Sequence, residues 1–240
     1  MVKVAYVARF KHGMTREAAS GHWTDVHGPL GLALEGVTGY VQNHVRATIG
    51  AAGLSEADRA FDGYACEWWA DQAAFERGMK SPEWEAVVQD GYNVFEVDSL
   101  EGMSAVLEER VMRDGPRSPF KVVWFAKWLP HLSSEEASGH WLNVHGPIAL
   151  GAPGIDRYVQ NRVVASIDGD RITDRPAGFD GFSECWFADL DAYQQAVSSP
   201  EWALLVEDGP KLMDMEALEA GMSAVVEERV IRDPEPTSAA

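Results

Sequence analysis

The 240-residue chain has no cluster of lysine or arginine anywhere in it. Its 20 basic residues face 38 acidic ones, giving a formal net charge of −18. A nucleic-acid binder needs a basic footprint to displace counterions, so that class is excluded, and binding to an anionic membrane surface is disfavoured for the same reason. There are only two cysteines, Cys66 and Cys185, which supply neither a disulfide framework nor a paired metal spacing and read as reduced, buried thiols. No apolar run approaches the roughly 20 residues of a membrane helix. The N-terminal MVKVAYVARF is too short in its apolar run for a signal peptide and lacks a small-residue cleavage site, so a cytoplasmic protein is expected. The fingerprints G-x-S-x-G, G-x-x-x-x-G-K and G-x-G-x-x-G are missing as well, and no cofactor is implied by motif.

The chain is 46% hydrophobic and 24% charged, the balance of an ordinary globular protein, with enough residues for one large domain or two of about 115. Nine Trp, nine Phe and six Tyr promise extensive aromatic packing or large apolar cavities. The dominant feature is an internal repeat. SGHWTDVHGP at 20–29 returns as SGHWLNVHGP at 138–147, an offset of 118. At that offset Gly39-Tyr40-Val41-Gln42-Asn43 meets Arg157-Tyr158-Val159-Gln160-Asn161, and Ser81-Pro82-Glu83-Trp84 meets Ser199-Pro200-Glu201-Trp202. GMSAVLEERV at 102–111 and GMSAVVEERV at 221–230 are 119 apart, so one residue is inserted before the last strand. The joint, Asp114-Gly-Pro-Arg-Ser-Pro119, can continue neither regular structure. We therefore expect halves at 1–116 and 117–232 and a disordered tail at 233–240.

Each half scans as strand, helix, strand, strand, helix, strand, the ferredoxin-like order. Residues 2–10 and 120–128 alternate as strands, Thr15 and Ser133 start helices, and strand two covers about 37–48. Strand three covers about 61–70, a second helical region about 71–95, and strand four about 103–112. A sheet with helices on one face needs a cover for the other, and the second copy provides one. The expected fold is α+β: two tandem βαββαβ halves closed into a single barrel.

The longest shared segment, Gly-His-Trp-x-x-Val-His-Gly-Pro, holds the candidate chemistry. On a regular α-helix His22 and His27 flank opposite edges of the stripe Ala19, Trp23 and Val26 and cannot easily share one metal; no metal site is expected. Pro29 would clash with the carbonyl of Asp25, so the helix should end or kink at Gly28-Pro29. A His in such a last turn feels the helix dipole, which favours its charged form, against burial by Trp23, which does not. Poised near neutrality, His27 and its copy His145 can serve as general acid/base, or else hydrogen-bond a carbonyl to fix the corner. His22 and His140 read as partly exposed or capping imidazoles at the edge of a substrate site. Tyr40 with Gln42, and Tyr158 with Gln160, share one strand face and could orient a substrate oxygen or simply be satisfied core residues. Trp23 and Trp141 would line an apolar pocket, and Trp68, Trp69, Trp84, Trp186 and Trp202 fit either core or pocket. Arg9 and Lys127, at one equivalent strand position, could bind a carboxylate or pair with nearby acids. The copies diverge where His44 becomes Arg162, Asp25 becomes Asn143, and Cys66-Glu67 becomes Glu184-Cys185, which moves the acid to the other strand face.

His-Trp-x-x-Val-His-Gly-Pro after an N-terminal strand, followed by Tyr-Val-Gln-Asn on the next, resembles the EthD family of dimeric α+β barrel proteins. The likeness covers nearly the whole chain as two copies. Since that family usually builds its barrel from two chains, the resemblance implies an intramolecular dimeric α+β barrel, with a cavity between each sheet and its helices lined by the first-helix His. Activities in the wider superfamily include cofactor-free oxygenases, polyketide cyclases, isomerases, haem-degrading enzymes and dehydratases. The leading expectation is a cofactor-independent lyase or dehydratase on a small hydrophobic, aromatic or polyketide-like compound, with His27, His145, Tyr40 and Tyr158 catalytic. Trp23, Trp141, Gln42, Gln160, His22 and His140 would hold the substrate. Alternatives are a cyclase, isomerase or cofactor-free oxygenase on a similar substrate, a non-catalytic binder of hydrophobic ligands, and, least, a haem protein using His22 or His27. The charge of −18 argues for a neutral substrate over an anionic one. Monomer and homodimer both remain open.

Overall fold

The computed structural model describes residues 1–50, 53–56, 59–97, 102–216 and 221–234. In the first half β1 (Val2–Ala8) is followed by α1 (Arg16–His22), a π-helical segment (Trp23–His27) and α2 (Gly28–Leu32), then β2 (Val37–Gly50), β3 (Gly53–Ser55) and β4 (Gly63–Trp69). The half ends with α3 (Gln72–Gly78), α4 (Pro82–Val94) and β5 (Ser104–Arg113). The second half repeats this as β6 (Phe120–Ala126), α5 (Ser134–His140), a π-helical segment (Trp141–His145), α6 (Gly146–Gly151), β7 (Ile155–Asp168), β8 (Arg171–Thr173), β9 (Gly181–Phe187), α7 (Leu190–Val197), α8 (Pro200–Asp208) and β10 (Ser223–Arg232). Local chemistry sets the helix starts. Thr15 caps α1, and Ser133 with Glu136 forms the full capping box of α5. The second helical region expected over 71–95 is two helices, because Ser81 caps a new one and Pro82 opens it.

Each half forms a sheet in the order β5-β1-β4-β2 or β10-β6-β9-β7. The antiparallel pairs β5–β7 and β10–β2 join the two sheets edge to edge, closing eight strands into a barrel without free edges. The fold expected from the sequence is the one observed. Alternation along β1 sends Lys3, Ala5 and Val7 to the barrel axis and Val4, Tyr6 and Ala8 to the helices. The axial core includes Tyr64, Cys66, Trp68, Phe125 and Phe182, while separate clusters lie under the helices of each half. Asp233 and Pro234, placed in the tail by sequence, continue past β10: Asp233 pairs with Arg117 at 3.4 Å and Pro234 lies over Gly39. The rest of that expected tail, 235–240, lies outside the described residues.

The barrel axis also holds charge. Lys3 and Lys121, equivalent by the repeat, both reach Glu184, at 3.7 and 2.6 Å. Lys3 further bonds Glu109 and Asn161, and Lys121 bonds Glu228 and Asn43. Glu184 additionally accepts from the Tyr64 hydroxyl at 2.7 Å and from Asn161 at 3.0 Å. Burial alone would raise its carboxyl, but the two ammoniums outweigh it and hold Glu184 well below the usual range. The asparagines and the outer glutamates are like pairs under the repeat, yet one carboxylate serves both lysines: the counterpart of Glu184 is Cys66, and that of Tyr64 is Phe182. Burial pushes the Cys66 thiol up to about 12 despite the two lysines, so it stays protonated.

Candidate functional site

Pro29 does not end the first helix, as the sequence suggested; the chain continues through Gly28 in helical conformation. A proline removes one N–H and crowds the carbonyl four residues back, and the helix accommodates it by widening to a π turn, in which Gly28 N–H donates to the carbonyl of Trp23. The second copy does the same, with Gly146 donating to Trp141. Glycine leaves room at position 28, where a Cβ would stand a tight 3.1 Å from the Gln42 amide nitrogen and 3.3 Å from Trp23 O. Gln42 Nε2 donates to that same carbonyl at 2.8 Å, and Gln160 repeats the contact on Trp141 at 3.1 Å.

The π turn changes where the histidines point. With i→i+5 hydrogen bonding each residue turns through less than the 100° of an α-helix, so His22 and His27 come to the same face instead of opposite edges, correcting the expectation from regular helical angles. Both meet Asp90 on α4: His27 Nδ1 lies 2.9 Å from Oδ2 and His22 Nε2 lies 2.9 Å from Oδ1. In the second half His145 Nδ1 and His140 Nε2 each lie 3.0 Å from Asp208 Oδ2. Burial would raise the Asp90 and Asp208 carboxyls, but hydrogen bonds from the histidines prevail and lower both. An ionised carboxylate only accepts, so Nδ1 of His27 and of His145 carries a proton and donates it. Burial is the main influence on both rings and holds them below the ordinary histidine value despite the carboxylate. They are neutral at pH 7, and among the described residues Nε2 of each makes no hydrogen bond. The helix-dipole contribution expected from a chain end at Pro29 is absent, since His27 lies within a continuing helix.

His27 lines a cavity of about 220 Å³ between the first sheet and α4, together with Tyr40, Trp23, Glu67, Tyr6 and Trp84. Gly63 lets Trp23 lie flat on the sheet, since a Cβ there would come within 2.6 Å of the indole. The Tyr40 hydroxyl accepts from Trp23 Nε1 at 3.3 Å and from Gln42 at 3.2 Å, leaving its own proton to give. In the second half His145 lines a cavity of about 390 Å³ with Tyr158, Trp124, Cys185 and Trp202. Tyr158 accepts from Gln160 at 2.9 Å. Gln42 and Gln160 are buried behind their tyrosines, outside both cavity walls, and position the hydroxyl and the π turn. His22 and His140 lie behind the carboxylates. Trp141 packs on Trp128, away from the second cavity. Trp84 and Trp202 face the cavities; Trp68 and Trp186 face the axis, under Lys3 and Lys121. Lys127 pairs with Asp180 at 3.3 Å, whereas Arg9 lines the first cavity and makes no ion pair among the described residues.

The sequence reading missed Asp90 and Asp208. The signal was present: Asp-Gly at 90–91 and 208–209 recurs at the same offset of 118, on the helix that faces the histidines. Among the described residues no group of three or more His, Cys, Asp or Glu is placed to hold a metal ion, and no helix is long and apolar enough to cross a membrane.

No curated protein matches the chain in sequence. Among solved structures, an anthrone oxidase-like protein matches over 99% of this chain and 96% of its own, with a TM-score of 0.61 at 11% identity. A candidate monooxygenase from Fusobacterium nucleatum covers 96% of this chain and 92% of its own at 13% identity and TM-score 0.54, and one from Lactobacillus acidophilus 96% and 93% at 12% and 0.50. At such identities the likeness is one of fold. The EthD domain model matches twice, over residues 11–98 and 129–216, each match running from before the first helix to beyond the aspartate that holds its histidines, and the chain belongs to the EthD family as a tandem pair of its domains.

Proposed function

We propose that the protein is a cofactor-independent enzyme that uses His27 and His145 to remove a proton from a small, largely apolar aromatic or polyketide-like compound, and that the resulting carbanion reacts with molecular oxygen. One observation carries the reading: in both halves a neutral imidazole in an apolar cavity has Nδ1–H fixed on an ionised aspartate and Nε2 open. That is the arrangement of a general base, since the carboxylate fixes the tautomer and stabilises the imidazolium formed on proton transfer. The tyrosine hydroxyl beside it can donate to the oxygen on which negative charge collects. With a CH₂ between aryl groups and next to a conjugated carbonyl, loss of a proton, addition of O₂ and loss of water convert CH₂ to C=O. The names of the fold relatives, a candidate monooxygenase and an anthrone oxidase-like protein, favour this course over elimination.

Dehydration remains the second reading, because a His relayed with Tyr40 or Tyr158 can serve as both base and acid. Anthrone is a suitable probe. The wild type should exchange its CH₂ protons with deuterated water and consume oxygen to form the quinone, and His27→Ala with His145→Ala should abolish both while the far-ultraviolet spectrum is kept. Exchange without oxygen uptake would leave the base and exclude oxygenation. Full activity in the double variant would overturn the assignment altogether, and tight probe binding without exchange would mark a ligand-binding protein.

A further inference from the structure

The two cavities carry the same base but different floors. In the first, Tyr6 and Glu67 stand where the second has Trp124 and Cys185, and Trp69, which bonds Glu67 from outside the cavity lining, is replaced by Phe187. Glu67 is 6% exposed and lines the first cavity. Its Oε2 accepts from Trp69 Nε1 at 3.2 Å, and among the described residues that is its one hydrogen bond. Glu67 is the cross-strand partner of Tyr40, and both face Gly31, whose Cβ would meet Tyr40 Cε1 at 3.1 Å and Glu67 Oε1 at 3.7 Å. The Tyr6 hydroxyl lines the same cavity and is buried without any partner. A buried hydroxyl left unpaired costs about 1–3 kcal/mol, so an orphan donor next to a half-used carboxyl is a site that a third polar group would complete. In the second cavity the corresponding Cys185 thiol and Trp124 indole bring neither a carboxyl nor a hydroxyl oxygen to these positions. Trp124 packs on Trp202 with ring centroids 5.5 Å apart, as Tyr6 does on Trp84 at 6.4 Å, but brings no hydroxyl to the cavity.

We propose that the first cavity recognises oxygen: Glu67 and Tyr6 select an aromatic compound bearing a hydroxyl or carbonyl at the depth of the sheet, whereas the second cavity takes a ring that is apolar at that point. The tandem chain is then an enzyme with two unequal substrate sites, which two identical chains could not provide. The proposal rests on the reading of the cavities as substrate sites and adds the substrate class of one of them.

Calorimetric titration with 1-naphthol and with 1-methylnaphthalene, which differ by hydroxyl against methyl, tests it without turnover. In the wild type 1-naphthol should bind one site about tenfold more tightly than the other, and 1-methylnaphthalene should show no such preference. Tyr6→Phe and Glu67→Leu should each erase that preference, and Glu67→Gln, which keeps a hydrogen-bonding group, should retain most of it. Binding of 1-methylnaphthalene to all three variants shows that they are folded. If 1-naphthol keeps its tight site in Glu67→Leu and Tyr6→Phe, the proposal fails and the cavities stand as substrate sites. If neither probe binds the wild type, the reading of the cavities fails with it.

Discussion

Removing the carboxylate on the barrel axis by Glu184→Gln should destabilise the whole fold, because it leaves two buried ammoniums that shared it. Breaking a buried ion pair from one side costs about 3–5 kcal/mol. Lys3 keeps Glu109 and Asn161 and Lys121 keeps Glu228 and Asn43, so the loss belongs near the lower end, about 3 kcal/mol. With a urea m-value of about 3 kcal/mol/M, the midpoint should fall by about 1 M at pH 7. Because Glu184 is held below its ordinary value, its stabilisation is present above the unfolded value near 4.5 and disappears as the pH falls toward the folded one. The mutational difference should therefore shrink in acid. The pseudo-symmetry provides a sharper control. Moving the carboxylate across the axis with Cys66→Glu and Glu184→Cys, and its hydroxyl donor with Tyr64→Phe and Phe182→Tyr, presents both lysines with the mirror-image partner and should recover most of the loss. A midpoint in Glu184→Gln within 0.3 M of wild type, a change of about 1 kcal/mol, would refute the argument.

Glu67 should behave in the opposite sense. Burial is the main cause that raises its carboxyl from 4.5 to about 7, so the folded state holds a proton that the unfolded state has lost between those values; stability present below pH 4.5 is lost as the pH rises through 7. Glu67→Gln should therefore be close to neutral at pH 4.5 and stabilising by up to about 3 kcal/mol at pH 8, and a pH-independent difference between the two unfolding curves would contradict the burial argument. Gly63→Ala should cost at least about 1–3 kcal/mol, since its Cβ would lie 2.5 Å from Asn43 O and 2.6 Å from the Trp23 ring. Gly50→Ala, with nothing within 4 Å, is the matched control, and equal thermal midpoints for the two would show that Trp23 is not held against the sheet as described.

The fold was legible because each layer of the sequence pointed the same way. The exact recurrence of SGHW-x-x-VHGP, Tyr-Val-Gln-Asn and Ser-Pro-Glu-Trp gave two copies; alternation gave the strands; Thr15 and Ser133 gave the starts of the first helices. A sheet with one bare face then required the partner sheet. What alternation could not show was how the copies specialise on the axis. That Cys66 and Glu184 occupy opposite faces from Glu67 and Cys185 follows from period two, but that a single Glu184 satisfies two lysines depends on β4 and β9 facing each other across a closed barrel. The β5–β7 and β2–β10 pairings that close it join residues of different halves, and no local pattern encodes them.

The histidines show a different limit. Angles of 100° per residue placed His22 and His27 apart, and the proline two residues on argued for a helix end; both inferences assumed that an α-helix either continues regularly or stops. The chain takes a third course. Pro29 forfeits a hydrogen bond that the π turn does not need, Gly28 admits the Gln42 amide to the Trp23 carbonyl, and the extra residue per turn rotates His27 onto the face of His22. Only then can one aspartate from α4 hold both rings. The motif His-x-x-x-x-His-Gly-Pro is thus a statement about helix type before it is one about chemistry: the proline selects the wide turn, the wide turn aligns the imidazoles, and the shared carboxylate leaves one nitrogen, Nε2 of the second histidine, open in each cavity. Asp90 and Asp208 were in plain sight at the repeat offset, but without the π turn they had only one histidine within reach and no reason to be singled out.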